Sequence, residues 1–426
     1  MDSLFEAPAL ASVVQRFPFL PDRVASPIRG GRKAALAALR RIDPVRYARS
    51  RNFLDGANTG LSPYLRHGVL TLAEVRDAAL ARVAQPLEAE KLISELGWRD
   101  YWQRLYVQWG EGIWRDREPI KTGFAAASYA SELPPELLAA TTGLNCMDSF
   151  SRQLQQTGWL HNHARMWVNA YVVHWLRVRW QAGARWFLEH LLDGDPASNN
   201  LSWQWGASTF SNKPYFFNRE NLERFTNGSL CAQCALRTRC PLEGTYEALE
   251  TRLFPKLHQI QPAAAPVPVR AQPIVAAKPN VGSKPLLWIH TDSLNPEAAL
   301  LRQHPLAPAV FVWDEAWLRA EKISSKRVVF LEECLDEMPA RLERRNGDVA
   351  TELLQAARQA GAGHIVAQRT PDPRLLAAAP IAGREVPIVW IDPPPFAADL
   401  NYDLKRFSRY WQKAQASAMR KTEEGL

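Results

Sequence analysis

The sequence predicts a multidomain α and α/β protein, an all-helical domain followed by a small parallel-sheet α/β domain. Three observations carry that expectation: apolar residues at helical spacing through the first part, a Pro- and Ala-rich interruption, and short apolar runs alternating with helical stretches beyond it. The helical segments are Leu70 to Ala84, Glu88 to Gln108, Met147 to Gln155 and His161 to Gln181, all with few β-branched runs. From Gln261 to Lys284 the chain reads QPAAAPVPVRAQPIVAAKPNVGSK, with no helical or alternating period, as a semi-extended linker would. Downstream, PLLWIH (285–290), AVFVWD (309–314), GHIVAQ (363–368) and VPIVWI (386–391) alternate with helical stretches near 296–303, 324–343 and 349–361. That order implies βαβ units and a parallel sheet. The expected division is 1–260, a linker at 261–284, and 285–426.

Of the 426 residues 46% are hydrophobic and 23% charged, which excludes disorder as the dominant state. No window approaches the roughly 18 consecutive apolar residues of a membrane helix, and MDSLFEAPALASVVQRF lacks a basic segment followed by an apolar core. A soluble, cytoplasmic protein is expected. Lys plus Arg minus Asp plus Glu is 52 − 44 = +8, an excess that favours a polyanionic partner such as nucleic acid without identifying one. Five cysteines are an odd number for a disulfide framework, and Cys231, Cys234 and Cys240 crowd together as metal ligands do. Tryptophan is the outlier: 11 of the 16 lie between Trp98 and Trp205.

Within it, a helix through 161–181 would set His161 one turn from Arg165 and Asn162 one turn from Met166. Trp167, Trp175 and Trp186 read as core packing. The stretch DGDPASNN, with two carboxylates and two amides between Asp193 and Asn200, is either a solvated loop or a ligand-binding turn, and WQW at 203–205 follows directly. Earlier, Asn58-Thr59-Gly60-Leu61-Ser62-Pro63 opens a helical run whose free N–H groups and hydroxyls suit a phosphate, although ordinary N-caps have the same composition. Tyr47 and Arg51 are spaced i,i+4. Glu95 and Arg99, in ELGWRDYW, form either part of a site or a helix-surface ion pair.

Taken in order, YARSR, NTGLSPYLRHG, ELGWRDYW, TGWLHNHARM, LLDGDPASNN and WQWGAS resemble the FAD-binding domain of the photolyase and cryptochrome family, from about Arg29 to Asn218. The resemblance implies an all-helical domain that binds FAD in a folded, U-shaped conformation. By motif position, Tyr47, Thr59, Leu61 and Ser62 would hold the diphosphate side, and Arg99 is counted with the cofactor contacts. Arg165 and Asp193 would pair near the isoalloxazine ring, with Asp195 beside them and Asn199 facing flavin N5. The family usually has Thr-Ser-Arg where Asn58-Thr59-Gly60 stands here.

Members that repair cyclobutane pyrimidine dimers carry a Glu, a Trp, an Asn and a Met around the lesion; Glu95, Trp98, Asn162 and Met166 match, with Trp205 as a second stacking wall. Aromatic faces stack a flipped-out dimer, and Glu95 can hydrogen-bond the thymine carbonyl as it gains an electron. His163 stands where the commonest class has Arg, and Asn162 interrupts the His-His pair typical of 6-4 repair. The expected function is therefore light-driven repair of DNA with pyrimidine dimers, by electron transfer from excited reduced FAD. The alternative is a cryptochrome-like blue-light receptor without repair activity. Trp203 and Trp180 match the first two members of the family's electron-transfer chain, and Trp102, Trp109, Trp114 and Trp175 are candidates for the outermost. Spacing alone does not separate a relay from packing at Trp180.

Cys146, upstream of an RQ pair, joins Cys231, Cys234 and Cys240 in a pattern similar to the iron-sulfur bacterial branch of the family. The resemblance implies a 4Fe-4S cluster; tetrahedral zinc is the alternative. Cys334 reads as a buried core residue. In LLWIHTDSLNPEAALLRQHPLAPAVFVWDEAWL, the skeleton Asp292, Leu294, Asn295, Pro296, Ala299 and Leu300 resembles the opening of the antenna domain that precedes the FAD domain in the family. A circularly permuted, shortened relative is inferred. Whether it binds an antenna chromophore is left unknown, and a domain that only stabilises the FAD part is weighed equally.

Overall fold

A computed structural model describes residues 8–255, 284–398 and 400–422. Most of the linker expected at 261–284 lies outside the described residues. Contacts divide the chain into two units: Met1–Pro44, Thr59–Gly110 and Arg270–Leu426 form one, and Val45–Asn58 with Glu111–Val269 form the other. The first draws on chain from both sides of the Pro/Ala-rich stretch.

At the centre of the first unit is a five-stranded, all-parallel sheet in the order β3-β2-β1-β4-β5, with β1 Pro285–Ile289, β2 Ala309–Trp313, β3 Leu342–Asn346, β4 His364–Gln368 and β5 Ile388–Ile391. Four of these coincide with the expected apolar runs. Parallel strands buried on both faces read as continuous Val/Ile/Leu runs, and β2 is buried along its whole length. The fifth was not expected: the helical stretch placed at 324–343 ends at Asp336, and Leu342-Glu-Arg-Arg-Asn346 forms edge strand β3. An edge strand tolerates charge because one side faces no partner, so its sequence carries no apolar signal.

Helices from both sides of the linker cover the sheet. Pro8–Arg16 packs on Ser325–Asp336, and Phe17 meets Trp313 edge to face at 5.4 Å. Lys326 is fully buried and paired at 2.9 Å with Asp22, which also accepts from the Ser325 N–H at the start of that helix. A Cβ at Gly30 would lie 2.2 Å from the Phe330 carbonyl, so only glycine permits this approach. Leu72–Leu80 opens with a complete capping box between Thr71 and Glu74. The helix Glu90–Trp109 is the longest in the unit.

The second unit is helical. Asn145–Thr157 matches its expected segment, whereas the helix expected through 161–181 is interrupted. Asn162–Ala170 passes into a π-helical turn, Tyr171–Trp175, then Arg177 takes φ 54° and Val178 bridges Ala130 before Trp180–His190 begins. The break falls beside Val172-Val173, whose branching crowds a helical turn. Residues 45–58 belong here because Leu54 N–H donates to the Phe225 carbonyl at 2.9 Å and Phe53 packs edge-on against Phe225. Among the described residues, no helix is long and apolar enough to cross a membrane.

Candidate functional site

The residues singled out from the sequence divide between the units. Thr59, Leu61, Ser62, Glu95, Trp98 and Arg99 belong to the first; Tyr47, Asn162, Arg165, Met166, Trp180, Asp193, Asp195, Asn199, Trp203, Trp205 and the four clustered cysteines belong to the second.

In the second unit, His161 caps the helix Asn162–Ala170, its Nδ1 accepting from the His163 N–H at 3.1 Å. One turn on, Arg165 is fixed by its Nε donating to the Leu160 carbonyl at 3.0 Å, and its Nη2 reaches both oxygens of Asp193 at 3.1 and 2.9 Å. The Asp193 side chain is only 4% exposed and that of Arg165 25%, so the pair spans from the interior to an accessible edge. Asp195 caps the next helix, Pro196–Ala207, accepting from the Ser198 N–H at 3.1 Å. DGDPASNN is thus a buried helix entry, not a solvated loop. Asn199 donates its amide to Ala184 O and Asn200 Oδ1, both at 3.0 Å. Asn162 donates to Met166 Sδ at 3.6 Å, the one-turn pairing that helical spacing predicts. Trp205 is half-buried and tilted against Tyr215 at 5.4 Å, and the Arg51 guanidinium lies 5.9 Å from the Tyr47 ring.

Trp203 is buried with Phe187 edge-on at 5.0 Å, and a Cβ at Gly183 would lie 2.2 Å from its ring. The Trp180 Nε1–H donates to Asp116 at 2.7 Å, and its ring is parallel to Trp114, centroids 6.3 Å apart and 10° between planes. Arg185 lies 4.5 Å over Trp114. Of the four outer tryptophans left open by the sequence, Trp114 stacks on Trp180. Spacing could not single it out because a 66-residue separation hides the contact.

Cys146 and Cys231 are buried, and Cys234 and Cys240 half-buried. Cys146, Cys231 and Cys240 belong to one core cluster and the Cys234 thiol lies 3.8 Å from the Gly143 carbonyl; burial pushes the Cys146 thiol up, and Cys231, Cys240 and Cys234 push it further. Burial likewise raises Cys231, to about 11. Among the described residues, however, no group of three or more His, Cys, Asp or Glu side chains is arranged to hold a metal ion. The expected cluster therefore lacks support as a formed metal site, although its four residues are neighbours.

Burial lowers the His161 pKa to about 4, with His163 adding to the effect; it lowers His163 and brings the buried His174 to about 4. These rings are neutral when folded, while the unfolded chain protonates them near 6.5. Below that pH the unfolded chain binds more protons, so stability is full above about 6.5 and is lost as pH falls toward about 4. Thermal unfolding at pH 7.5 and pH 5 should show a lower midpoint at pH 5; equal midpoints would mean these rings titrate normally.

In the first unit, the Thr59 hydroxyl accepts from the Leu61 N–H at 3.3 Å, and Gly60 takes φ 61°, which accounts for glycine there. The helix that follows, Ser62–Arg66, is a single short turn with Pro63 in its first positions, and not the start of a long run. Glu95 pairs with Lys91 at 3.0 Å one turn back. Trp98 lies face to face with Phe407, centroids 3.8 Å apart and planes 10° from parallel. Nothing in the sequence pointed to Phe407. Beyond the carboxyl ends of β1, β4 and β5 the same unit contains a cavity of about 300 Å³ bordered by Asn295, Gln368, Ile391 and Arg32. The strand order reverses between β1 and β4, where open α/β sheets place ligands.

Residues 92–232 match the FAD binding domain of DNA photolyase. The deoxyribodipyrimidine photo-lyase of Vibrio cholerae is 32% identical over 191 residues, 40% of this chain and 37% of that protein. That of Streptomyces griseus is 36% identical over 153 residues, 36% and 32% of the two chains. The matches thus span about a third of the length of these curated relatives. Among solved structures, an archaeal photolyase from Sulfolobus tokodaii aligns at 25% identity and TM-score 0.41 over 58% of this chain and 54% of its own. A Synechocystis cryptochrome aligns at 24% and 0.41 over 47% and 44%. Residues 92–232, which contain Glu95, Trp98, Arg165, Asp193 and Trp203, are thus similar to the FAD binding domain of DNA photolyase.

Proposed function

We propose that this protein is a flavoenzyme that splits cyclobutane pyrimidine dimers in DNA under blue light. The observation that carries the reading is the bidentate Arg165–Asp193 pair inside the matched FAD-binding domain. A buried carboxylate held by a guanidinium gives a flavin ring a fixed hydrogen-bonding edge, and Asp195 and Asn199 extend that polar surface along the next helix entry. The donor set therefore fits FAD. Bound and reduced, FAD would supply a photoexcited electron donor. The protein's own part is to position, screen and deliver. Arg165 and Asp193 orient the ring. Trp203 and the stacked pair Trp180 and Trp114, with Arg185 over Trp114, would carry an electron inward to reduce the flavin. Glu95 would donate a hydrogen bond to the dimer carbonyl, where negative charge develops.

A dimer-containing oligonucleotide incubated in light and in darkness tests this directly: restored thymines are expected only in light, and Glu95→Ala should lower repair per absorbed photon while flavin content stays unchanged. No repair in light by wild-type protein carrying reduced FAD would leave the second reading, a blue-light receptor. That reading is favoured by one observation, the stacking of Phe407 on the Trp98 face. The four-thiol neighbourhood supports a 4Fe-4S cluster held by Cys146, Cys231, Cys234 and Cys240, with zinc as the alternative. Elemental analysis of the same anaerobic preparation decides between iron with sulfide, zinc, and neither.

A further inference from the structure

We propose that the last helix, Phe407–Ala418, is an internal competitor for the base-stacking face of Trp98, so that nucleic acid reaches this tryptophan only when the first turn of that helix opens. The proposal rests on the nucleic-acid reading above and adds to it the control of one contact. Aromatic side chains in proteins usually meet edge-on or offset, with centroids 4.5–7 Å apart. Phe407 instead lies on Trp98 at 3.8 Å and 10°, the parallel overlap that an unstacked base adopts on a tryptophan. Phe407 in turn stacks on Trp411 at 5.9 Å and 14°, so the helix contributes a short aromatic ladder to the Glu90–Trp109 helix.

The seat for this ladder is built into the longer helix. A Cβ on Gly97 would lie 2.5 Å from the Trp411 ring, so a helix-weakening residue stands mid-helix where the partner ring presses in. The far part of the last helix is anchored through buried Tyr410, Ala414 and Ala418, with the Tyr410 hydroxyl bonded to Asp100 at 2.5 Å and Gln415 to Glu90 at 3.2 Å. The near end is different. Its N-cap, Arg406, makes no side-chain capping bond, and Phe407 is the first helical residue. Apart from the Arg409–Asp403 pair at 2.8 Å and the Arg409 N–H bond to the Arg406 carbonyl, the first turn has no side-chain cap, and such a turn is the part of a helix that frays most readily. Phe407 can therefore leave Trp98 while Tyr410, Ala414 and Ala418 stay in place.

The test uses the full chain and two oligonucleotides, one with a single thymine dimer and one undamaged. Phe407→Ala should tighten binding about tenfold, the order of one base–aromatic stack, and Phe407→Leu, which keeps an apolar side chain in the packing, should give a similar gain with an unchanged unfolding midpoint. The gain should vanish in the double variant Trp98→Ala/Phe407→Ala. Hydrogen exchange at 405–409 should rise when wild type binds the oligonucleotide, with 412–418 unchanged. Unaltered affinity in both Phe407 variants, or a gain that survives loss of Trp98, would overturn the competitor. A Trp98-dependent gain that is equal on both oligonucleotides would uphold the competitor and remove the dimer-specific reading. A wild-type preference for the dimer, with Phe407 variants unchanged, would do the reverse.

Discussion

Asp193→Ala should yield folded protein that has lost its flavin. The carboxylate is 4% exposed and is chelated by one guanidinium nitrogen, so its removal leaves Arg165 charged, three-quarters buried and still tied to the Leu160 carbonyl. Removing one partner of a buried ion pair costs about 3–5 kcal/mol; the exposed quarter of Arg165 puts the cost at about 3 kcal/mol, which is on the order of a hundredfold in affinity if it falls on the cofactor. Arg165→Ala should be worse, because the group left behind is the more deeply buried carboxylate. Asp193→Asn keeps an acceptor for Arg165 and should retain part of the flavin. Flavin-to-protein ratio after gel filtration, read beside far-ultraviolet circular dichroism, separates cofactor loss from unfolding. Full retention in both alanine variants would place the ring elsewhere.

How much of this could be read in advance differs from element to element. β1, β2 and β4 were legible because a parallel strand buried on both faces is spelled as an unbroken apolar run, and edge strand β5 because it keeps such a run. β3 was not, since its Glu343, Arg344 and Arg345 suit a sheet edge and look helical in isolation. The Asn162–Met166 and His161–Arg165 pairings followed from helical periodicity, which is local. The π-helical turn at Tyr171–Trp175 did not, because the branching of Val172-Val173 only weakens the helix locally and helical periodicity runs on through it. The Arg165–Asp193 pair was legible through family motifs and not through spacing. The Phe407–Trp98 stack and the Trp114–Trp180 stack join residues 309 and 66 positions apart, and no local rule reaches that far. The grouping of residues 1–44 with the sheet has the same origin: Asp22 owes its place to buried Lys326, some 300 residues away.

Asp292→Ala is expected to be the most damaging single change in the sheet-containing unit. Asp292 follows β1 and pairs with Arg66 at the end of the short helix Ser62–Arg66, both side chains largely buried. It also accepts from the Thr370 hydroxyl at 2.6 Å. Burial by itself would raise its pKa, but Arg66, His290 and the Thr370 hydroxyl outweigh that and hold the carboxyl well below its usual range. The charged form is therefore the folded form: its contribution is present above the unfolded carboxylate pKa near 4 and is lost as pH falls below it. Around this pair the backbone is equally committed. The His67 ring meets the Thr291 carbonyl at 2.8 Å, Leu294 N–H donates to the His67 carbonyl at 3.0 Å, and a Cβ on Gly68 would lie 2.2 Å from the Asp292 carbonyl. Deleting the carboxylate strands a guanidinium in that enclosure, at a cost of about 3–5 kcal/mol. The double variant Arg66→Met/Asp292→Leu should recover much of it, because neither charge of the pair is left without the other. Thr59, Leu61 and Ser62, which the family resemblance places at the FAD diphosphate, lead directly into the helix that Arg66 ends, so on that reading Asp292→Ala should also loosen FAD in proportion to its loss of stability. Urea midpoints and flavin ratios measured on wild type, both single variants and the double variant form a closed cycle. Near-additive effects would mean that Arg66 and Asp292 act separately and that the clamp on residues 59–68 has another source.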